Sequence, residues 1–389
     1  MGTILPGQPW SYADMKRLLR TAQGPSASAE RLNITRIAPG DGTVSFDFRD
    51  EGASEAKVDV EYCVEYGRAA DATDRRVQPV AEGTTATIRG LENGVDYRFT
   101  VLAKHGRTGE TVGQSPVRLA RPGHVPGVVI NYIHPDDYTY GFSGRSPASP
   151  SIARLPDGRL VASHDVYWGK AGQNLSKIFR SDDEGKTWAF VTDLYPCFWG
   201  KLFVHRGSLY MLATSTEYGA LLIGRSDDGG ETWTPPTVII EGGSRETGGP
   251  HKAPMPVTLH KGRLWTAVEY GSWALGGHHT GVVSAPADAD LLDRASWTVT
   301  PFLAYDHRWP GTIRGGKPSL LEGNVVVTPE GKLVNLLRYH TKEGEPAYGK
   351  AIMLNVNDED PGAPLTFGKV IDFHGNMSKF TVYYDGESR

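Results

Sequence analysis

Five times in the second two-thirds of the chain, charged residues stand just ahead of an apolar hairpin: Arg145, Lys201, His251 with Lys252, Glu322 and Lys379. Behind four of those hairpins come His164 with Asp165, Glu217, Glu269 with Tyr270, and Arg338 with Tyr339 and His340. Three chemistries fit such a set. Cleavage of a glycosidic bond takes one carboxyl as acid and another as base or nucleophile, and Asp165, Glu217, Glu269 and Glu322 are the candidates. Elimination on a uronic acid takes a base for the α-proton and cations for the enolate; His251, His164 and Lys201 with Arg338 fit those roles. A binding site without turnover would use the same ring of groups to grip an acidic sugar. Arg145, Lys201, His251, Lys252, Lys379, Tyr270 and Arg338 are the expected sugar contacts.

These residues need hairpins to carry them to one place, and the sequence supplies a regular series. Short alternating apolar runs turn at Gly158, Gly207, Gly262 and Gly331, and a last run, Thr381–Tyr384, enters a turn at Asp385-Gly386. Between the hairpins one octapeptide occurs twice, Ser181-Asp182-Asp183-Glu184-Gly185-Lys186-Thr187-Trp188 and Ser226-Asp227-Asp228-Gly229-Gly230-Glu231-Thr232-Trp233, its copies 45 residues apart. An Asp side chain can accept backbone N–H groups and close a turn, Gly supplies positive φ, and the indole can pack beneath. Strand-like stretches flank each copy, so each is a second hairpin. Four strands per unit, repeated radially, make a propeller in which the ends of the first two strands of every unit share one mouth. The third unit keeps only the closing Ser-Trp of the octapeptide, within Ser284–Trp297. Four units are complete and a fifth is begun. The expected fold is therefore all-β, with a propeller open at its C-terminal side and Gly127–Tyr132 as the strand that would complete the last unit.

The octapeptide resembles the Asp-box of the sialidase superfamily, whose fold is a six-bladed propeller. The run from Glu322 to Arg338 resembles the hairpin in which a Glu polarises a tyrosine nucleophile and an Arg helps to clamp the substrate carboxylate. On that resemblance Glu322 and Arg338 carry over, and the planar fork of Arg suits a carboxylate. Other family positions differ. Ala148 in Ala148-Ser149-Pro150 stands where the first clamp Arg would be, with Arg145 three residues earlier. Gln173 and Asn174 stand near the place of the general acid, with Asp165 the nearest carboxylate. Lys379 holds the position comparable to the nucleophilic Tyr. The resemblance implies an exo-acting glycoside hydrolase on a terminal sugar, sialic or uronic acid, in an extracellular setting. A glycan-binding propeller and a uronate lyase are the alternatives.

Ahead of the propeller (126–389), residues 29–122 alternate as a sandwich does, at Val44, Phe46 and Phe48, then Val58, Val60, Tyr62 and Val64, then Tyr97, Phe99 and Val101. Thr87–Tyr97 resembles the corner of a fibronectin type III domain, which implies that Leu91 plugs the core and the Tyr97 hydroxyl bonds back to the backbone. Phe46 takes the place of the usual Trp. No catalytic cluster lies here, so the unit reads as a spacer. Residues 1–28 read as a segment with a short helix from Ser11 to Arg20 and a linker.

With 47 Gly and 26 Pro in 389 residues, the composition favours many short strands and turns. A net charge of −4 without basic runs argues against nucleic acid, and no apolar run is long enough to span a membrane. Cys63 and Cys197 fall in different units, so no disulfide is expected. No cofactor is expected. His278-His279 reads as a Gly-flanked surface loop without a third metal ligand, and a Ca²⁺ ion in a Gly/Asp turn has no support.

Overall fold

The computed structural model describes residues 10–11, 31–51, 59–168, 171–313, 317–342, 345–375 and 377–384. The helix expected at Ser11–Arg20 and the turn at Asp385-Gly386 lie outside these residues, except for Ser11 itself. The protein is all-β. Its first two sheets are β1 (Leu32–Gly40), β2 (Thr43–Asp50) and β5 (Thr85–Arg89), ordered β1-β2-β5, and β3 (Val60–Arg68), β4 (Arg76–Pro79), β6 (Tyr97–His105) and β7 (Thr111–Gln114), ordered β4-β3-β6-β7. A short β8 (Arg118–Ala120) pairs with β6. The period-2 alternation sends Phe46, Phe48, Phe99 and Val101 into one core between the sheets. Leu91 is buried there, and the Tyr97 hydroxyl accepts the Glu92 N–H at 3.1 Å.

The connector that follows does not form the strand expected at Gly127–Tyr132. Its polar backbone is claimed by β1 instead: Arg36 donates to the Ile130 and Val129 carbonyls, and Asn131 Oδ1 accepts the Ile37 N–H at 3.0 Å. Arg118 and Asp137 form a fully buried ion pair at 2.5 Å, and Arg49 reaches the Val191 carbonyl. The two-sheet unit is thus tied to the connector by a buried ion pair and to the sheet that follows by Arg49.

Four antiparallel meanders come next. The first is β9 (Ser146–Arg154), β10 (Leu160–Tyr167), β11 (Leu175–Ser181) and β12 (Ala189–Leu194); the second is β13 (Phe198–His205), β14 (Ser208–Thr214), β15 (Leu221–Ser226) and β16 (Thr237–Ile240). In the third, β17 (Gly249–His251) and β18 (Thr258–His260) both pair with β19 (Arg263–Ser272), followed by β20 (Gly277–Pro286) and β21 (Thr298–Val299). The fourth is β22 (Lys317–Val327), β23 (Leu333–Lys342), β24 (Lys350–Asn355) and β25 (Thr366–Asp372). Apolar residues lie between consecutive sheets: Leu155, Val161, Leu202 and Met211 between the first two, Leu212, Ile223, Leu264 and Val283 between the next two, Trp265, Val282, Leu320 and Leu337 between the last two. The succession is propeller-like.

The expected turns form as read. Gly158, Gly207, Gly262 and Gly331 all have positive φ, at 92°, 88°, 72° and 79°. In the octapeptides Ser181 Oγ and Ser226 Oγ accept the Gly185 and Gly230 N–H groups, both at 2.8 Å. Asp183 and Asp228 accept the Thr187 and Thr232 N–H groups, and each indole donates to the glycine carbonyl above it. One contact escaped the sequence reading. Trp10 is 1% exposed, bonds to the Pro196 carbonyl and meets Trp233 edge-on, so the first residues described are part of the core between the first two meanders. Thr381–Tyr384 forms no strand. Asn324 holds this stretch to β22 by bonding the Val382 N–H and the Phe380 carbonyl, in place of the ladder a fifth sheet would offer.

Candidate active site

The first strand of each meander is broken along its length. Register slips between Ser163 and Asp165 against β9, between Phe198 and Lys201, and between Leu321 and Asn324, and the third sheet splits there into β17 and β18. At the three slips Ser149, Trp199 and Glu322 adopt φ of 49°, 55° and 54°, a left-handed conformation that costs a bulky residue about 1 kcal/mol or more. Such bulges re-aim side chains and are over-represented beside active sites. Gly323 completes the last one because a Cβ there would sit 2.2 Å from Asn335 Oδ1 and 2.8 Å from Ala267 Cβ.

Glu322 is aimed by its bulge into a cluster of cations. Arg338 Nη1 lies 3.0 Å from Oε2 and Lys379 Nζ 3.3 Å from Oε1. Burial would raise the pKa of Glu322, but the charges of Lys379, Arg338 and His251 outweigh it and hold the carboxyl below its usual value. Arg338 also donates to the Met377 carbonyl and meets His340 Nδ1. Next to this group, His251 Nδ1 donates to Glu269 Oε2 at 3.0 Å, and Glu269 Oε1 accepts the Gly323 N–H at 3.1 Å. Lys252 is fully buried, bonded to Thr266 Oγ1 and the Ala267 carbonyl; burial first, then the charge of Lys201, push its pKa down to about 7 against the pull of Glu269. Lys201 is half-buried, with its pKa also lowered by burial.

Asp165 has a different part. It is 1% exposed, and it accepts the Ser176 hydroxyl at 2.6 Å and the Trp199 N–H at 2.8 Å. Burial pushes it up to about 7 although Ser176, Trp199, Ser149 and Lys379 favour the ionised form. Asp165 therefore ties the first sheet to the bulge of the second, as Glu269 ties the third to the bulge of the fourth. Both carboxylates stand near the end of a strand and bond the bulge backbone of the next meander, Asp165 at the strained Trp199 and Glu269 at Gly323, beside the strained Glu322.

Several expected residues fall elsewhere. His164 faces away from Asp165: its ring stacks on Phe179, its nitrogens bond Asn131 and the Asp165 carbonyl, and burial pushes its pKa down to about 4, so it is no base at this mouth. Tyr270 packs on Phe302, because alternation along β19 sends it opposite to Glu269. Arg145 is bonded to the Pro135 carbonyl and lies over the Tyr138 ring. Glu217 accepts Gln173 Nε2 at 2.9 Å, so the residue standing near the expected acid position grips another candidate carboxylate. His278 and His279 are in β20, with His278 only 2% exposed and its ring 4.8 Å from that of His251. Cys63 and Cys197 are both free.

Sequence reasoning missed Trp199, Ser149 and Tyr167. Tyr167 stacks on Phe198, and burial first, then the charges of Glu217 and Glu322, raise its pKa. A charge-based search could not find these residues; for two of them the Gly or Pro that follows, as in Trp199-Gly200 and Ser149-Pro150, was the available signal, and Tyr167 carries none.

No protein-family model and no curated protein matches this sequence. Solved structures resemble the fold remotely. The Hadza microbial sialidase Hz136 is 13% identical, with 89% of this chain and 75% of that chain covered and a TM-score of 0.42. An α-L-arabinanase of Penicillium chrysogenum complexed with arabinobiose is 17% identical over 63% and 72%, TM-score 0.41. A β-1,3-galactosidase, BT3683, is 13% identical over 94% and 99%, TM-score 0.39.

Proposed function

We propose that the chain is a glycoside hydrolase of the sialidase-like propeller class that acts on a terminal acidic sugar of glycans. In this reading residues 29–122 are a fibronectin-type sandwich, 126–389 carry blades of a six-bladed propeller, and the protein works outside the cell without a cofactor. The observation that carries it is Glu322: a carboxylate set on a strained bulge, kept ionised, and flanked by Arg338 and Lys379. An ionised carboxylate at this place serves as base or nucleophile. Three of the five donors of Arg338 make the contacts described, leaving donors for a sugar carboxylate.

Glu322→Gln, assayed against 4-methylumbelliferyl sialoside and glucuronide with the galactoside as neutral control, should lose at least about 100-fold in kcat on the acidic substrate. Arg338→Lys should lower affinity for the acidic sugar nearly as much as Arg338→Ala, because charge without the fork does not restore two-point binding. Binding of acidic glycans with no release of any sugar would sink the hydrolase reading. It would favour the second one, a glycan-binding propeller, whose support is that Asp165 and Glu269 are both committed to backbone N–H groups of the neighbouring sheet.

A further inference from the structure

Hydrolysis with Glu322 as base requires a second group to protonate the departing oxygen, and Asp165 cannot provide it, being buried and bonded at both oxygens. We propose that His251, held in place by Glu269, is that proton donor, an inference that rests on the hydrolase reading. The geometry is that of an oriented imidazole. Glu269 accepts from Nδ1 at 3.0 Å and is itself pinned by the Gly323 N–H, so the ring cannot turn without breaking its bond to a fixed carboxylate. The rings of Trp199 and His278 pack against it, with centroids 4.3 Å and 4.8 Å away. Among the described residues nothing bonds to Nε2. The charged and titratable groups around the ring are Glu269, Glu322, His278 and the adjoining Lys252. With the proton of Nδ1 committed to a carboxylate, Nε2 is the atom that exchanges a proton with a bound molecule, the logic by which a carboxylate orients a catalytic histidine.

The step balances as follows. The oxygen of a water molecule bonds to the anomeric carbon and gives one proton to a Glu322 carboxylate oxygen. The carbon–oxygen bond to the leaving group breaks with its electron pair on the departing oxygen, which takes the proton from His251 Nε2. His251 is left neutral and Glu322 protonated; one proton passing back through solvent restores both. Glu269 touches no reacting atom and is a positioning residue.

The test uses the full chain with two glucuronides, the 2,4-dinitrophenyl compound, whose leaving group needs no proton, and the 4-methoxyphenyl compound, whose leaving group does; the matching sialosides run alongside. His251→Gln should lower kcat/KM by about 100-fold or more on the methoxyphenyl glycoside and by less than about fivefold on the dinitrophenyl one. Glu269→Gln should show the same asymmetry more weakly, with kcat falling and KM unchanged. Equal losses on both leaving groups overturn the donor role. A readout independent of turnover comes from ¹⁵N-histidine NMR of the wild type: neutral His251 should carry its proton on Nδ1, and a proton on Nε2 instead refutes the dyad. If no glycoside is turned over while the Nδ1–H form is found, the hydrolase reading fails and the donor role falls with it.

Discussion

Replacing Lys252 by Met removes a fully buried amine whose pKa is held at about 7. The unfolded chain keeps that proton up to about pH 10.5, whereas the folded chain gives it up near 7. Between those values the unfolded state binds more protons, so the wild type gains stability as pH rises; below 7 it bears the whole cost of the buried charge. At 1.36 kcal/mol per unit that cost is about 5 kcal/mol at pH 6 and about 1 kcal/mol at pH 10. Met is close to Lys in volume, but it leaves Thr266 Oγ1 and the Ala267 carbonyl without their donor, a loss of about 2 kcal/mol. Lys252→Met should therefore be about 3 kcal/mol more stable than wild type at pH 6 and about 1 kcal/mol less stable at pH 10. Urea unfolding followed by tryptophan fluorescence at both pH values measures the difference. Parallel shifts at the two pH values would refute the reasoning, because only a titrating amine makes the difference change sign.

Three further outcomes are expected. Trp10→Ala should cost about 3–5 kcal/mol in urea unfolding, since it empties a site in the core between the first two meanders and orphans the Pro196 carbonyl. Arg118→Met should cost about 3–5 kcal/mol because Asp137 stays buried without its partner, and Arg118→Met with Asp137→Leu should recover most of that loss. Asp165→Asn, which cannot accept both the Ser176 hydroxyl and the Trp199 N–H through the same two oxygens, should cost about 1–3 kcal/mol at pH 8. Since the folded pKa of Asp165 is raised to about 7 and the unfolded value is near 4, wild-type stability from this group falls as pH rises through that window, so the penalty for Asn should be larger at pH 5 than at pH 8. Melting curves of the pair at both values decide it.

Much of this protein is legible in its sequence because much of it is local. Alternation at Phe46, Phe48 and Phe99 predicts which face is buried, and the turn glycines take the backbone conformation that only residues without a Cβ adopt freely. The octapeptides close on themselves through side chains two to four residues apart, so their geometry is written in one stretch. The cluster at Glu322 was half legible. Its charged members lie where hairpin ends converge, but His164 and Tyr270 do not share the site with their neighbours Asp165 and Glu269, because adjacent strand residues point to opposite faces. Gly127–Tyr132 has the alternation of a strand and forms a connector, because the Arg36 guanidinium bonds its Val129 and Ile130 carbonyls and its Asn131 side chain accepts the Ile37 N–H, bonds that no fifth sheet supplied.

What the sequence by itself determined is the hairpins of the four meanders, their turns and their order, since each follows from side-chain alternation, glycine and short-range hydrogen bonds. What only the tertiary structure decided is the break in the inner strands. The Gly or Pro after Ser149, Trp199 and Glu322 permits a bulge without requiring it; packing of one sheet on the next, and a carboxylate reaching across to a bulge backbone in two of the three cases, hold them left-handed. Burial then sets the protonation of Asp165, Lys252 and Glu322, because desolvation and the charges of neighbouring sheets act through space and leave no mark on the adjoining sequence.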